Sequence, residues 1–253
     1  MDTLSSNPAA GSPERSRTEQ GRLSKALMRL WMKRATVVAN EHMADRFRLI
    51  AFEGVELKGV AWNAGQKVQI PMGSAFVTRT YTPIEWDAST GRTRILCYAH
   101  GTGPGSVWVR DVKPGDECDV FGPRSSIDLR AISGPLAFFG DETSIGLACA
   151  LSAEHRAWSA ALYFEFSDIK AGSDVLQHLG LRYATLFEKQ TDDAHAEQME
   201  AALPALAASG AAFVLAGKAG TVQRLRQSLK RLGVAASRIT AKAYWAPGKV
   251  GLD

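Results

Sequence analysis

Short hydrophobic runs separated by turn residues characterise the first half of the chain. Six runs of four to seven residues are rich in β-branched and aromatic residues, and Gly, Asn, Asp and Pro lie between them. The runs cover residues 35–39, 47–52, 67–70, 76–82, 92–98 and 117–121. Runs of this length and spacing are typical of antiparallel strands. The pattern therefore predicts a six-stranded antiparallel β-barrel.

The rhythm changes at Pro135, where apolar runs begin to alternate with segments of helical periodicity. Strands are predicted at 135–140, 160–166, 182–187, 211–216 and 239–244. Helices are predicted at 143–153, 174–179, 194–208 and 219–232. The third helix should kink or break at Pro204, because proline lacks the N–H that a helix interior needs. Strand–helix alternation is typical of βαβ units, which build a parallel sheet.

These two patterns predict an α+β protein with two domains. The barrel is expected over residues 21–133, and an α/β parallel-sheet domain over 134–253. Residues 1–20 are rich in Ser, Pro, Gly and charged residues, so a disordered tail is expected there. Apolar residues between 23 and 31 fall at helical spacing and predict a short amphipathic helix.

Composition and charge place few demands on function. The 253 residues are 45% apolar and 22% charged, as is ordinary for a soluble globular protein. The net charge of +4 is small, and no basic stripe interleaved with aromatic residues is present, which argues against a nucleic-acid partner. The mild basic excess suits small anionic ligands.

The cysteines and the N-terminus predict a cellular location. Cys97, Cys118 and Cys149 each lie in an apolar run, and an odd number cannot form a complete disulfide framework. They are interpreted as core residues of a reducing compartment. No stretch approaches the roughly 18 apolar residues of a membrane span, and the N-terminus lacks the apolar core of a signal peptide. We therefore expect a cytoplasmic protein without a membrane partner.

The hexapeptide 78–83 carries the first candidate chemistry. Because side chains of a strand alternate between faces, Arg79 and Tyr81 share one face. That face offers a guanidinium fork for a phosphate and a flat ring for stacking, with the Thr82 hydroxyl beside them. A flavin dinucleotide needs such groups for its pyrophosphate, ring face and polar ring edge. The alternative is an edge strand with a solvated arginine and a half-buried tyrosine.

A glycine-rich loop at 101–106 precedes a short helix predicted at 107–110. Gly103 and Gly105 would let backbone N–H groups approach a phosphate, and Ser106 stands at the helix start, where the dipole favours an anion. A flexible hairpin loop is the alternative. His100 lies just before the loop, and a lone histidine at a strand end is more often a residue with a local hydrogen bond than a catalytic one.

Two further stretches fall at predicted strand ends. Residues 140–143 follow the first strand of the second domain, where Asp141 or Thr143 can cap a helix and where open α/β sheets bind ligands. Tyr244 and Trp245 close the last strand. One of these rings is expected beside a bound flavin and the other in the core; the alternative has both in the core.

In order and spacing, these motifs resemble those of siderophore-interacting proteins, the FAD-dependent ferric-siderophore reductases of the ferredoxin-reductase-like superfamily. The motifs that carry the resemblance are Arg79-x-Tyr81-Thr82, His100-Gly101, Gly103-Pro104-Gly105-Ser106 with Trp108, Gly122-Pro123-Arg124, Gly140-Asp141-Glu142-Thr143, and Tyr244-Trp245 with Gly248. The resemblance extends over residues 37–249 and so covers both predicted domains.

The resemblance implies a barrel that binds FAD and an α/β domain that binds NADH or NADPH. It implies a cofactor site composed of Arg79, Thr80, Tyr81, Thr82, His100, Gly103, Gly105, Ser106, Asp141, Thr143 and Trp245. The implied substrate is a ferric siderophore, which is reduced so that Fe(II) is released. Catecholate chelates of iron are anionic, so Arg124, Lys249 and, more weakly, Lys67 are candidate substrate contacts.

The second domain departs from common nucleotide-binding patterns. No GxGxxG follows its first strand, although ferredoxin-reductase-like domains do not require one. Asp168 could bind a ribose hydroxyl and Lys170 a 2′-phosphate, so the choice between NADH and NADPH stays open. Lys218 stands where the resembled family more often has glutamate, which puts the nicotinamide side of the chemistry in question.

No catalytic acid, base or nucleophile is predicted. The chain has no GxSxG motif, and its five histidines lack the spacing of a metal site. Two alternatives to the ferric-siderophore reductase remain open. One is a reductase of the same fold with another acceptor, such as ferredoxin, a quinone or free flavin; the other is a non-catalytic binding protein for a siderophore or nucleotide. A reduced ferredoxin also remains open as the electron donor.

Overall fold

A computed structural model describes residues 32–72, 77–128, 132, 134–154 and 160–249. Residues 33–253 group as one compact unit. The predicted tail at 1–20 and the predicted helix over 23–31 lie outside the described residues. Residue 76, the predicted start of the fourth strand, also lies outside them.

The first half of the described chain forms a seven-stranded antiparallel sheet. Its strands are β1 (Met32–Ala44), β2 (Phe47–Glu53), β3 (Lys67–Pro71), β4 (Thr78–Tyr81), β5 (Pro83–Asp87), β6 (Arg92–Tyr98) and β7 (Glu117–Arg124). Their order in the sheet is β4-β3-β7-β1-β2-β6-β5. The antiparallel class predicted from the short runs is confirmed.

The predicted number of strands and the predicted closure need correction. The segment predicted as one strand over 76–82 gives β4, and a further strand, β5, begins at Pro83. β4 pairs with β3, whereas β5 pairs with β6 at the opposite end of the sheet. Among the described residues no hydrogen-bonded pairing joins these end strands. The sheet is nevertheless barrel-like, because Thr82 alone links its two edges along the chain.

Alternating apolar side chains of these strands fill the inside of the curved sheet. The buried members of this cluster include Val37, Ile50, Phe52, Val68, Ile70, Ile95, Cys97 and Val120. Helix α1 (Pro104–Asp111) covers the cluster through Val109 and begins with proline at its first position, where the missing N–H is not needed. The packing places the start of α1 next to β4.

The second half forms a five-stranded parallel sheet with helices, as the alternating pattern predicts. Its strands are β8 (Leu136–Asp141), β9 (Ala160–Phe166), β10 (Ala184–Glu188), β11 (Ala212–Lys218) and β12 (Ile239–Trp245), in the order β10-β9-β8-β11-β12. Its helices are α2 (Ile145–Glu154), α3 (Ile169–His178), α4 (Ala194–Ala201), α5 (Leu203–Ala208) and α6 (Ala219–Arg231). The predicted break at Pro204 is confirmed by the division into α4 and α5.

The strand order reverses at β8, which lies between β9 and β11. Open α/β sheets bind ligands outside the carboxyl ends of the strands at such a point. Gly146, at the start of α2, packs so closely on the link between β4 and β5 that an added Cβ would lie 2.9 Å from the Thr82 carbonyl oxygen. One buried cluster also contains Ile84 and Leu96 of the first sheet together with Ile145 of α2. The carboxyl edge of the parallel sheet is thereby held beside β4; the domain boundary near 133 stays a prediction.

Candidate functional site

A cleft of about 460 Å³ is lined by both sheets. It brings together most of the predicted site residues: Lys67, Arg79, Thr80, Tyr81, Thr82, His100, Gly105, Ser106, Thr143, Trp245 and Lys249. Gly103, Asp141 and Arg124 were also predicted, but they do not line the cleft. Residues separated by more than half of the chain therefore share one surface.

Arg79 and the start of α1 form one end of this surface. The Arg79 guanidinium donates to the Thr78 carbonyl oxygen at 2.8 Å. Its aliphatic stem lies against Gly105, where an added Cβ would be 2.8 Å from Arg79 Cγ. The first N–H groups of a helix lack partners within the helix, so those of Gly105 and Ser106 point outward. The guanidinium and these amides are a donor set suited to a pyrophosphate.

Two loop residues contribute less directly than the sequence predicts. The Ser106 hydroxyl donates to the His100 carbonyl oxygen at 2.6 Å, so its proton is already used. Gly103 is the N-cap of α1 and does not line the cleft. Both residues therefore act through the backbone, by shaping the turn that presents the amides.

Tyr81 presents its ring to the cleft and directs its hydroxyl inward. Burial raises the pKa of Tyr81 well above its ordinary value, and the buried Cys97 thiol nearby raises it further. The ring centroid is 6.5 Å from that of Trp108. Tyr81 is therefore a neutral, supported ring surface and not a proton donor.

Thr82 and Tyr244 join the two sheets at the middle of the cleft. Their hydroxyl oxygens are 3.2 Å apart. Burial raises the pKa of Tyr244 to about 12, so the phenol stays neutral. The sequence predicts one ring of the Tyr244–Trp245 pair in the core and one at the site. Both rings line the cleft, and Tyr244 also packs against the core.

Asp141 lies behind the cleft, which corrects its predicted place in the cofactor surface. Its carboxylate is fully buried and accepts from Trp245 Nε1 at 2.7 Å and from Thr143 Oγ1 at 2.6 Å. It also accepts from the Thr143 backbone N–H at 2.9 Å, which confirms the predicted cap. Burial raises the pKa of Asp141. Asp141 thus holds Trp245 and Thr143, which are two of the predicted residues that line the cleft.

Two of the three cations predicted as substrate contacts line the cleft, and the third does not. Lys67 and Lys249 line the cleft. Arg124 is the strand partner of Lys67, but its guanidinium lies 4.9 Å from the Phe121 ring centroid and donates to Gln69 Oε1 at 3.0 Å. This stacking turns Arg124 away from the cleft wall.

Sequence reasoning missed Lys242, a cation that lines the cleft. Lys242 precedes Tyr244 by two positions on β12, and side chains of a strand repeat faces every second residue. The alternation that paired Arg79 with Tyr81 could therefore have found it. Ser126, just after β7, was missed as well, without any signal in its neighbours.

The carboxyl edge of the parallel sheet carries charges that are paired internally. Lys189 pairs with Glu142, whose other oxygen accepts from the Ser167 N–H at 2.6 Å. Lys218 pairs with Asp193 at 2.9 Å. Burial alone would lower the pKa of Lys189, but the nearby carboxylates raise it, so the ammonium stays charged.

The two candidates for nucleotide discrimination are also engaged locally. Asp168 is the N-cap of α3 and accepts from the Ala171 N–H at 2.9 Å. Lys170 pairs with Asp174 at 2.8 Å one turn along the same helix. Their contacts therefore give no preference between NADH and NADPH.

Two negative findings apply to the described part of the chain. No group of three or more His, Cys, Asp or Glu side chains there could hold a metal ion. No helix there is both long enough and apolar enough to cross a membrane.

The comparisons define first a class of protein and then a family. Residues 18–127 match the siderophore-interacting FAD-binding domain, so the barrel-like half is of the FAD-binding class. Residues 135–248 match the family described as siderophore-interacting protein. The chain belongs to the siderophore-interacting protein family, with a ferredoxin-reductase-like fold.

Three solved structures share this fold. The siderophore-interacting protein SipS from Aeromonas hydrophila is 23% identical to this chain, with a TM-score of 0.72. The match covers 87% of this chain and 93% of the SipS chain. A siderophore utilization protein from T. fusca is 21% identical, with coverage of 88% and 95% and a TM-score of 0.68. Phthalate dioxygenase reductase is 17% identical, with coverage of 86% and 70% and a TM-score of 0.69. No curated protein matches the chain.

Proposed function

We propose that the protein is a flavoprotein reductase that takes electrons from NADH or NADPH through FAD to a ferric siderophore and releases the iron as Fe(II). The cleft is the observation that carries this proposal. It combines a phosphate-binding donor set at Arg79 and Gly105 with ring surfaces at Tyr81 and Trp245. Membership of a family with a FAD-binding domain supports the flavin part of the proposal.

The residues of the cleft fit FAD. A side chain larger than glycine at 105 would press against the Arg79 stem, so glycine allows Arg79 to lie against the start of α1. Arg79 and the first amides of α1 would hold the pyrophosphate, Tyr81 would carry the ring, and Thr82 would address its polar edge. FAD would supply the conversion of a two-electron donor into single-electron steps.

The cations of the cleft fit an anionic iron chelate as substrate. Lys67, Lys242 and Lys249 line the cleft, and Arg124 lies on the strand beside Lys67. Cations along a cleft raise the local concentration of an anionic substrate. Once reduced, iron is released because hard oxygen ligands hold Fe(II) less tightly than Fe(III).

The chain's own contribution to the reaction is binding and orientation. Electron transfer to a chelated metal needs no acid or base from the protein, which agrees with the neutral states of Tyr81 and Tyr244. The nucleotide would bind at the carboxyl edge of the parallel sheet, beside Thr143 and Trp245. NADH and NADPH are cytoplasmic reductants, in keeping with the location expected from the sequence.

An anaerobic absorbance titration tests this function. The purified protein, loaded with FAD, should be bleached by NADH or NADPH and recover its absorbance when a ferric catecholate siderophore is added, with Fe(II) trapped by a chromogenic chelator. If only reduced ferredoxin bleaches the protein, the electron donor is ferredoxin and not a nicotinamide nucleotide. If absorbance recovers only with a quinone or free flavin, that compound and not the ferric siderophore is the electron acceptor. Protein that cannot be loaded with FAD would refute the proposal.

A further inference from the structure

Trp245 is fixed in the cleft wall by two charged groups behind it. Its indole N–H donates to Asp141 Oδ2 at 2.7 Å. The Lys189 ammonium lies 5.5 Å from the centroid of the indole ring. Cations are attracted to the face of an aromatic ring, and tryptophan is the strongest such partner. The orientation of the indole is therefore set at its edge by a carboxylate and at its face by an ammonium.

Lys189 is itself held from several strand ends. Its backbone N–H donates to the Phe166 carbonyl oxygen at 2.8 Å, so the residue is tied to β9 without its side chain. Its ammonium pairs with Glu142, which is bound in turn by the Ser167 N–H at 2.6 Å. The ammonium therefore has two neighbours, the Glu142 carboxylate with which it pairs and the ring of Trp245, while the backbone hydrogen bond holds the loop independently of the side chain.

Lys218 provides an internal comparison. It also stands at a strand end of this sheet, and it pairs with Asp193 at 2.9 Å. Its side chain is 22% exposed and that of Lys189 is 17% exposed, so the two lysines are similarly buried. Among the described contacts only Lys189 has an aromatic ring against its ammonium. The two lysines are similarly exposed, but the partner of Lys189 is buried and that of Lys218 is half-exposed. Lys218 lies opposite Trp245 in the pairing of β11 with β12, so it is a second ammonium close to Trp245, without the ring contact that Lys189 makes.

We propose that Lys189 is a positioning residue that acts through Trp245, holding the indole as the sheet-side surface against which the flavin ring binds. The inference rests on the proposed function in one respect, namely that the ring bound in the cleft is FAD. It assigns no contact between Lys189 and the cofactor. The charge of Lys189, and not merely its bulk or its hydrogen bond to Glu142, is the property that matters.

The first test is the affinity of the FAD-free protein for FAD, measured by fluorescence titration. Lys189→Gln keeps a donor for Glu142 and removes the charge, so we expect FAD binding to weaken about tenfold. Lys189→Arg keeps the charge and should retain affinity within about twofold. Lys218→Gln is the control for removing an ammonium near Trp245 that makes no contact with the ring, and it should leave FAD binding unchanged.

A double-mutant cycle tests whether the effect passes through the indole. In a Trp245→Leu background, Lys189→Gln should have no further effect on FAD affinity. The difference in tryptophan emission between wild type and Trp245→Leu isolates one of the chain's six tryptophans. That difference should shift with Lys189→Gln and stay in place with Lys218→Gln.

Three results would overturn the inference: equal effects of the two Gln variants, an effect of Lys189→Gln that persists without Trp245, or loss of affinity in Lys189→Arg. If Lys189→Gln does not fold, the neutral pair Glu142→Gln with Lys189→Met replaces it, and Asp193→Asn with Lys218→Met replaces the control. Failure of every form to bind FAD would refute the proposed function instead, and the emission measurement on FAD-free protein would still decide the role of Lys189.

Discussion

Three cations in the wall of the cleft and three cations at the edge of the parallel sheet differ in whether they pair with a carboxylate of the protein. Arg79, Lys242 and Lys249 lie in the cleft wall, and Lys170, Lys189 and Lys218 lie at the edge of the sheet. Among the described residues, each of these edge cations pairs with a carboxylate, whereas no carboxylate pairs with any of these three cleft cations. Exposure does not explain the difference, because the paired Lys170 has a side chain that is 86% exposed, whereas the unpaired Arg79 and Lys242 are half-buried. An unpaired cation beside a cleft can take its counter-ion from a ligand.

This difference in pairing distinguishes cations that can bind a ligand from cations that hold parts of the protein in place. Lys189 and Lys218 pair with Glu142 and Asp193 and so hold the segments that carry these carboxylates, and Lys189 also contacts the ring of Trp245. Arg79, Lys242 and Lys249, which pair with no carboxylate among the described residues, leave their charge available to an outside anion. A charged residue near the site is therefore a binding candidate only when the fold has not already supplied its partner.

Removing Arg79 should have the largest effect on the binding side. A charge-assisted hydrogen bond contributes roughly 1.5–3 kcal/mol, so Arg79→Ala is expected to weaken FAD binding by about one to two decades. Equilibrium titration with FAD measures the loss. Arg224→Ala is the control, because Arg224 already pairs with Glu200 at 2.7 Å and should not affect FAD. Equal affinity of the Arg79 variant and wild type would remove Arg79 from the site.

Gly146→Ala should break the junction that holds the two regions together. The new Cβ would lie 2.9 Å from the Thr82 carbonyl oxygen, a backbone atom that cannot move alone. We expect the free energy of unfolding to fall by about 1–3 kcal/mol, the usual cost of overpacking. Urea denaturation measures it. Gly220→Ala is the control. Gly220 lies in α6, where an added Cβ would meet only Lys218 Cε at 3.9 Å, so this variant should be slightly more stable than wild type. Equal stability of both variants would contradict the close contact.

Lys242→Gln removes an unpaired cation of the cleft and should raise the KM for an anionic substrate. An exposed charge interaction contributes about 0.2–1 kcal/mol, so the KM for an anionic ferric chelate should rise by up to about fivefold and the effect should fade at high salt. Lys170→Gln, at a paired edge cation, should leave this KM unchanged. Steady-state kinetics at two ionic strengths measures both. A salt-independent change would argue against an electrostatic role.

The smallest effect concerns Asp87, an exposed carboxylate whose partners are all local. Hydrogen bonds from Ser89 and Thr90 lower its pKa from 3.8 to about 2. A lowered pKa means that the ionised form stabilises the fold above about pH 4 and that this contribution is lost as the pH falls through about 2. Asp87→Asn should therefore reduce the acid sensitivity of thermal unfolding in that window. An unchanged profile would contradict the turn geometry.

Features that depend on residues close together in the sequence could be predicted, whereas contacts between residues far apart in the sequence could not. The shared face of Arg79 and Tyr81 comes from two-residue alternation, and the N-cap at Asp141 from a local motif, so both were predictable. The hydrogen bond from Trp245 to Asp141 joins residues 104 positions apart, and no local pattern reports it. For that reason Asp141 was predicted in the cofactor surface and lies behind it.

The same limit explains the other differences. Pro83 begins β5 because it is the first residue of an edge strand, where the missing N–H costs no ladder hydrogen bond, and the pairing of β5 with β6 is a long-range feature of the fold. The ion pair of Lys189 with Glu142 spans 47 positions and could not be anticipated. Lys242 was missed for a different reason, since the alternation that reveals it was available on β12.

A crystal structure of the protein with FAD tests the central claim most directly. The account predicts density for the ring between Tyr81 and Trp245, with the pyrophosphate against the Arg79 guanidinium and the first amides of α1. Density for the flavin elsewhere, or an Arg79 side chain directed away from the pyrophosphate, would contradict it.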